Sequence, residues 1–243
     1  MRRLLYLVCC LAAFPASAAL DGTQILQKVD RNLEPESYES YRKLIDIQPD
    51  GARKEYVLYT MKKDRDKVLA LFISPASDKG RATLRIGDNM WLYIPDVGKP
   101  IRITSLQSVT GSVFNNADIL RVDYTAEYDV EGAQEQADAY ILSLKAKTGE
   151  VAYDRLKMWV DKKALLPVTI EAYAASGLLI KTLRFTDIKD FGGGIKRPAT
   201  LGTDSPLQKG YKSVMQWSGL KKREFPDEIF TLNYLPRIQE LRK

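Results

Sequence analysis

The chain has 243 residues, with 37 Lys plus Arg against 31 Asp plus Glu, a formal charge of +6, 45% apolar residues and 28% charged residues. That balance belongs to a folded globular protein and excludes a disordered or fibrous one. Histidine is absent and Cys9 and Cys10 are the only cysteines, which excludes Ser-His-Asp and Cys-His catalysis and any His-ligated zinc or haem site.

The first residues read as an export signal. Arg2 and Arg3 give a positive start, Leu4 to Phe14 an apolar run, and Ala16-Ser17-Ala18 a small-x-small cleavage site. Residues 1–18 are therefore expected to be removed, leaving residues 19–243 as a single domain that starts at Ala19. Val8 before Cys9 is not the small residue of a lipoprotein signal, so no lipid anchor is expected. The mature chain then has neither thiol nor imidazole, and no later stretch is apolar for long enough to span a bilayer.

Asp21-Gly22-Thr23 offers a helix cap, and Ile25, Leu26, Val29 and Leu33 follow at helical spacing up to Glu34-Pro35. From Tyr38 the period changes to two. Strands are predicted over 41–47, 54–62 and 67–73, with breaks at Gln48-Pro49-Asp50-Gly51 and Lys63-Asp64-Arg65-Asp66. Arg81, Thr83 and Arg85 alternate with Ala82, Leu84 and Ile86; Gly87-Asp88-Asn89 turns the chain into a strand over 90–94, and another runs over 100–104. Residues 105–122 lack clean alternation, and Asn115 caps a short helix ahead of Ala117-Asp118-Ile119-Leu120. Strands resume over 135–144, 153–161, 167–173, 178–188, 198–203 and 212–220.

Strands in hairpin order imply a mainly β fold with a few helices: one antiparallel sheet, strongly curved or split into two layers. Two helical segments are too few to cover such a sheet on both sides. They are expected to plug one concave face.

Motifs for chemistry are missing. There is no GxxxxGK[ST] loop and no GxGxxG opening a helix, and Gly192-Gly193-Gly194 sits between strands as a turn. No acidic run has the spacing of a calcium loop. No enzyme activity, metal, cofactor or nucleic acid is expected. The stronger signal is apolar alternation along successive strands. Leu58, Leu69, Leu71, Leu84, Ile86, Trp91, Tyr93, Leu142, Met158, Val160 and Ile170 are the predicted walls of an apolar cavity, with core packing as the alternative at each. Ile25, Leu26 and Val29 of the first helix, with Phe114, Ile119 and Leu120 of the middle segment, are the predicted lid.

Several stretches carry a resemblance. Phe72-Ile73-Ser74-Pro75 and Lys79-Gly80-Arg81, followed by Gly87, Trp91, Tyr93 and Pro95 at gly-x-x-x-trp-x-tyr-x-pro spacing, resemble a hairpin of periplasmic outer-membrane lipoprotein-sorting proteins. Thr110-Gly111-Ser112-Val113-Phe114 with Asp118-Ile119 is similar to the lid segment of the LolA-like subgroup. Trp159-Val160-Asp161, Leu166-Pro167, Glu171-Ala172-Tyr173, Lys181-Thr182-Leu183 and Phe185 resemble its long C-terminal hairpin, and Asp227 to Leu235 its last element.

The resemblance implies a curved antiparallel half-barrel with a helical lid over an apolar cavity. It also implies a periplasmic carrier, without enzyme activity, that binds the acyl chains of lipoproteins or another lipid and shuttles them toward the outer membrane. Its partners would be that cargo, an inner-membrane transporter and an outer-membrane acceptor, and the chain would be a monomer. The alternative is a periplasmic sensor or adaptor of the same fold that recognises lipoproteins or serves an inner-membrane transporter. In the family's best-known member, lid opening depends on a buried arginine that reaches lid carbonyls; the resemblance makes Arg81 and Arg85 the candidates for it here, with a solvated strand arginine as the alternative for each.

Overall fold

The computed structural model describes residues 21–242. The export segment read at residues 1–18 and the expected start at Ala19 lie outside the described residues.

Helix α1 (Gly22–Leu33) begins where Asp21 accepts a hydrogen bond from the Gln24 N–H at 3.0 Å, the side chain replacing a missing helical acceptor. Its stripe of Ile25, Leu26, Val29 and Leu33 is buried. Gly22 allows close approach to the sheet: a Cβ there would stand 2.8 Å from Val130 Cγ1 and 2.9 Å from Ala133 Cβ.

Thirteen strands follow: β1 (Tyr38–Ile47), β2 (Arg53–Lys63), β3 (Lys67–Ser74), β4 (Ala82–Ile86), β5 (Asn89–Tyr93), β6 (Ile101–Ile103), β7 (Tyr128–Glu135), β8 (Ala139–Ala146), β9 (Arg155–Asp161), β10 (Pro167–Tyr173), β11 (Leu179–Asp190), β12 (Lys196–Asp204) and β13 (Lys212–Lys222). They form one sheet in the order β6-β5-β4-β3-β2-β1-β13-β12-β11-β10-β9-β8-β7. Two meanders, β1–β6 and β7–β13, are thus joined by the antiparallel pairing of β1 with β13. The sheet is open, because β6 and β7 are its two edges.

This topology decides where the middle of the chain goes. Consecutive strands β6 and β7 lie at opposite edges, so residues 104–127 must run from one edge to the other. That crossing segment carries α2 (Asn116–Ile119) and α3 (Tyr124–Glu127). Asn115 caps α2 as expected, in a reciprocal box: Asp118 N–H donates to Asn115 Oδ1 and Asn115 N–H to Asp118 Oδ2.

Three elements differ from the sequence reading. The strand expected over 135–144 is a hairpin, β7–β8, turning on the Gln136 N–H to Ala139 carbonyl bond at 2.8 Å without Gly or Pro at the turn. Strand β7 is an edge strand with a register shift between Val130 and Gly132, so it lacks continuous apolar alternation. The other two are α3, not read from the sequence, and the C-terminal segment, which forms 3₁₀ turns over Asp227–Phe230 and Leu232–Arg242.

Both sides of the sheet's N-terminal half are buried. Val68, Ala70 and Phe72 of β3 join the core beneath the helices, whereas Leu69 and Leu71 join a second core with Phe225, Ile229, Phe230, Leu235 and Ile238 of the C-terminal tail. A strand buried on two faces reads as a continuous apolar run. In the other half, Leu142 and Leu144 of β8 and Met158 and Val160 of β9 face the helices, while Ser143, Lys145 and Lys157 are exposed.

Candidate functional site

The helix-facing side of the sheet brings together five of the predicted wall residues, Leu58, Leu142, Met158, Val160 and Ile170, with all six predicted lid residues, Ile25, Leu26, Val29, Phe114, Ile119 and Leu120. The other six walls are a correction. Leu69, Leu71, Leu84 and Tyr93 are buried on the opposite side, with Ile86 and Trp91 packed against them, beneath the C-terminal tail. The alternation along β4 runs opposite to the expected sense. Its polar set, Thr83 and Arg85, faces the helices, because Arg85 bonds to the crossing segment; its apolar set, Ala82, Leu84 and Ile86, faces the tail.

The crossing segment is held at its backbone by buried cations of the sheet. Arg42 of β1, 1% exposed, donates from Nη1 to the Ile119 carbonyl at 2.5 Å and from Nη2 to the Tyr38 hydroxyl at 2.9 Å. Arg85 of β4, 2% exposed, donates from Nη1 to the Leu120 carbonyl at 3.3 Å. Its Nε is fixed on the Gly87 carbonyl at 2.8 Å, and its other end pairs with Glu127 of α3. Arg85 is therefore one carbonyl donor, as expected, but the shorter contact belongs to Arg42. Arg81 takes no part; it pairs with Asp78 at 3.5 Å and lies over the Phe72 ring.

A second anchor holds the segment near Val113. Lys181 of β11 donates to the Val113 carbonyl at 2.5 Å and to Asp118 Oδ2 at 2.8 Å. The Val113 N–H donates to Ser213 Oγ at 3.0 Å, and Ser213 donates in turn to Asp46 Oδ1 at 2.7 Å. Burial pushes the Asp46 carboxyl up to about 6, against the lowering influence of the Ser213 bond and of Lys54. The Tyr153 hydroxyl donates to Asp118 Oδ1 at 2.9 Å and accepts from Asn115 Nδ2 at 2.8 Å.

Helix α1 is tied to the same segment. Asp30 accepts from the Tyr124 and Thr125 N–H groups at 2.8 and 2.9 Å and from the Thr125 hydroxyl at 2.7 Å. Glu34, at the helix C-cap, pairs with Arg121 at 2.5 Å, Arg197 at 3.2 Å and Lys62 at 3.8 Å. Burial alone would raise the Glu34 carboxyl. The Arg121, Lys62, Arg197 and Arg42 charges together outweigh burial and hold it well below the usual carboxylate range.

A groove of about 750 Å³ opens beside the end of α1, among Arg31, Asn32, Pro35, Leu166, Ile188 and Ile195, but little space is left beneath the crossing segment. A cavity of about 30 Å³ lies among Asp118, Arg121, Tyr124, Tyr128, Tyr153 and Ile170. Among the described residues no group of three or more His, Cys, Asp or Glu is placed to hold a metal ion.

Arg42, Lys181 and Arg197 were not singled out from the sequence, yet a signal existed. Arg42 shares the strand register of Tyr38 and Leu44, Lys181 that of Leu183 and Phe185, and Arg197 that of Ala199 and Leu201, all buried. A cation in the apolar register of a half-buried strand is one that the core must satisfy.

An open antiparallel sheet with an apolar face, crossed by a short helical segment that buried cations hold at its carbonyls, defines the class: this is a LolA-like fold. A LolA superfamily protein from Nitrosomonas europaea superposes with a TM-score of 0.80 at 29% identity, covering 89% of this chain and 100% of that one. A DUF1329 family protein from Desulfovibrio piger gives 0.75 at 24% identity, over 87% and 96%. An outer-membrane lipoprotein-sorting protein domain from Vibrio parahaemolyticus gives 0.76 at 20% identity, over 88% and 97%. The likeness read from the sequence is borne out at the level of this fold. A family model described as "Uncharacterized protein" matches residues 64–237, and the chain belongs to that family. No curated protein matches the chain.

Proposed function

We propose that the chain is a periplasmic carrier, not an enzyme, that takes up the acyl chains of a lipoprotein or another lipid between the sheet and the crossing segment, which acts as its lid. The observation that carries this reading is the way the lid is held. Its apolar side chains, Phe114, Ile119 and Leu120, lie in the core, but it is also fastened by discrete polar contacts, among them hydrogen bonds from Arg42, Arg85 and Lys181 to its backbone carbonyls. Such bonds can be exchanged one for one with water or with ligand oxygens.

A cavity of about 30 Å³ is small beside the ~300–1,000 Å³ of ordinary ligand sites. To lie beneath the crossing segment, an acyl chain must therefore displace it. Transfer of the chain from water is worth ~0.8 kcal/mol per CH₂. Part of that is spent exposing lid side chains that had been buried, so one apolar contact replaces another and release stays accessible. A monomer would deliver its cargo from an inner-membrane transporter to an outer-membrane acceptor.

The test is mass spectrometry of organic extracts from protein purified out of native periplasm. Lipid or acylated protein at near one per chain supports the carrier. Protein without lipid, stably bound to a membrane-protein domain, would replace this reading with the sensor or adaptor.

A further inference from the structure

Arg42 is an unusual buried cation. It is 1% exposed, it enters no ion pair among the described residues, and its only acceptors are the neutral Ile119 carbonyl and Tyr38 hydroxyl. Its Nε has no partner, nor does Nη2 of Arg197. The two guanidinium groups flank one indole, Arg42 at 5.5 Å and Arg197 at 4.5 Å from the Trp217 ring.

Around them positive charge is in excess. Arg42, Lys62, Arg121 and Arg197 are matched by Glu34 and Asp123, with Asp30 behind. A buried guanidinium ordinarily has a carboxylate or phosphate across from it. Here the place is taken by a carbonyl of the lid. A second guanidinium, Arg85, reaches the adjacent carbonyl, Leu120, from another strand. When the lid leaves, both Arg42 and Arg85 lose these acceptors, while Tyr38 still holds Arg42 and the Gly87 carbonyl still holds Arg85 in position.

On the carrier reading above, we infer that Arg42 and Arg85 form the head-group site of the open state: they exchange the Ile119 and Leu120 carbonyls for the oxygens of an anionic head, so that the chain selects amphiphiles bearing a phosphate or carboxylate over neutral ones. The lid carbonyls are stand-ins for that head in the closed state. A guanidinium bonds a charged oxygen more strongly than a neutral carbonyl and can do so bidentately, so an anionic head is the better competitor for these donors, and its arrival favours the open lid.

The experiment titrates the mature protein with dodecyl phosphate, laurate and monolauroylglycerol, each kept below its micelle concentration, and with inorganic phosphate. The three amphiphiles share one chain length and differ in the head. The expected result is that at least one anionic amphiphile binds about tenfold or more tightly than monolauroylglycerol, and that inorganic phosphate does not displace it. In Arg42→Gln that preference falls to less than about threefold, and Arg42→Lys recovers part of it. The wild-type comparison decides the matter even if Arg42→Gln fails to fold. Equal binding of charged and neutral heads overturns the head-group site and leaves the carrier standing. Inorganic phosphate that binds and displaces as well as dodecyl phosphate overturns it too, as a free-anion site. Binding of none of the amphiphiles overturns the carrier reading itself.

Discussion

The sheet is covered twice, and the two covers are fastened in opposite ways. The C-terminal tail lies on the outer side of β2–β5 through Phe225, Ile229, Phe230, Leu235 and Ile238, and its charged contact, Asp227 with Lys63 and Lys67, is at the surface. The crossing segment lies on the other side through apolar side chains as well, but it is also held by buried charges that reach its backbone. An apolar cover is permanent, since removing it exposes surface at about 25 cal/mol per Å² with nothing in return. A cover pinned by discrete donors has a defined way to leave, because each donor accepts a substitute partner.

The largest effect is expected in both cores. Leu84 is fully buried under the tail, so Leu84→Glu places a carboxylate where it meets no partner and should cost more than about 3 kcal/mol. Leu183→Glu, in the other core, should cost as much. Urea unfolding measures both. A Leu84→Glu protein that keeps its stability would mean that the tail is not a permanent cover.

Next comes the anchor. Arg42→Met keeps an elongated apolar side chain but removes both donors, so the opening free energy of residues 113–121 should fall by about 1–3 kcal/mol, while the tail is unaffected. Hydrogen exchange resolved to those segments reads the difference. Acceleration spread evenly over the whole sheet would show that Arg42 supports the core and not the cover.

A smaller effect depends on pH. The folded protein holds the Asp46 carboxyl at about 6, above its ordinary 3.8, because its charged form is buried. The folded state thus binds this proton more tightly than the unfolded one, and the group costs stability as pH rises from about 4 through 6. Asp46→Asn should therefore be more stable than the parent at pH 7, by about 1–2 kcal/mol, with the margin shrinking as pH falls through about 6. A margin that grows on acidification would reverse the assignment.

Much of this was legible beforehand. Helix α1, the capped turn at Asn115 and most strand positions followed from spacing and turn chemistry, and the packing of Ile25, Leu26, Val29, Phe114, Ile119 and Leu120 on the sheet from amphipathic spacing and the irregular middle of the chain. The side of the sheet did not. Leu69, Leu71 and Leu84 look like cavity walls because period two gives two faces and does not say which one carries the helices. The tail that decides this comes from the far end of the chain, as 3₁₀ turns with no sequence period. The anchors Arg42 and Lys181 were hidden for a related reason. An isolated cation on a strand reads as solvated until its register partners, Leu44 or Leu183, are known to be core.

The central claim is that the crossing segment yields to an acyl chain and the tail does not. Hydrogen exchange of the mature protein, with and without saturating monolauroylglycerol, compares residues 109–127 with residues 225–241 in one experiment. The account predicts that the bound chain lowers protection of residues 109–127 by about tenfold or more and leaves residues 225–241 unchanged. Bound lipid with undiminished protection across 109–127, or loss of protection in the tail instead, would contradict it.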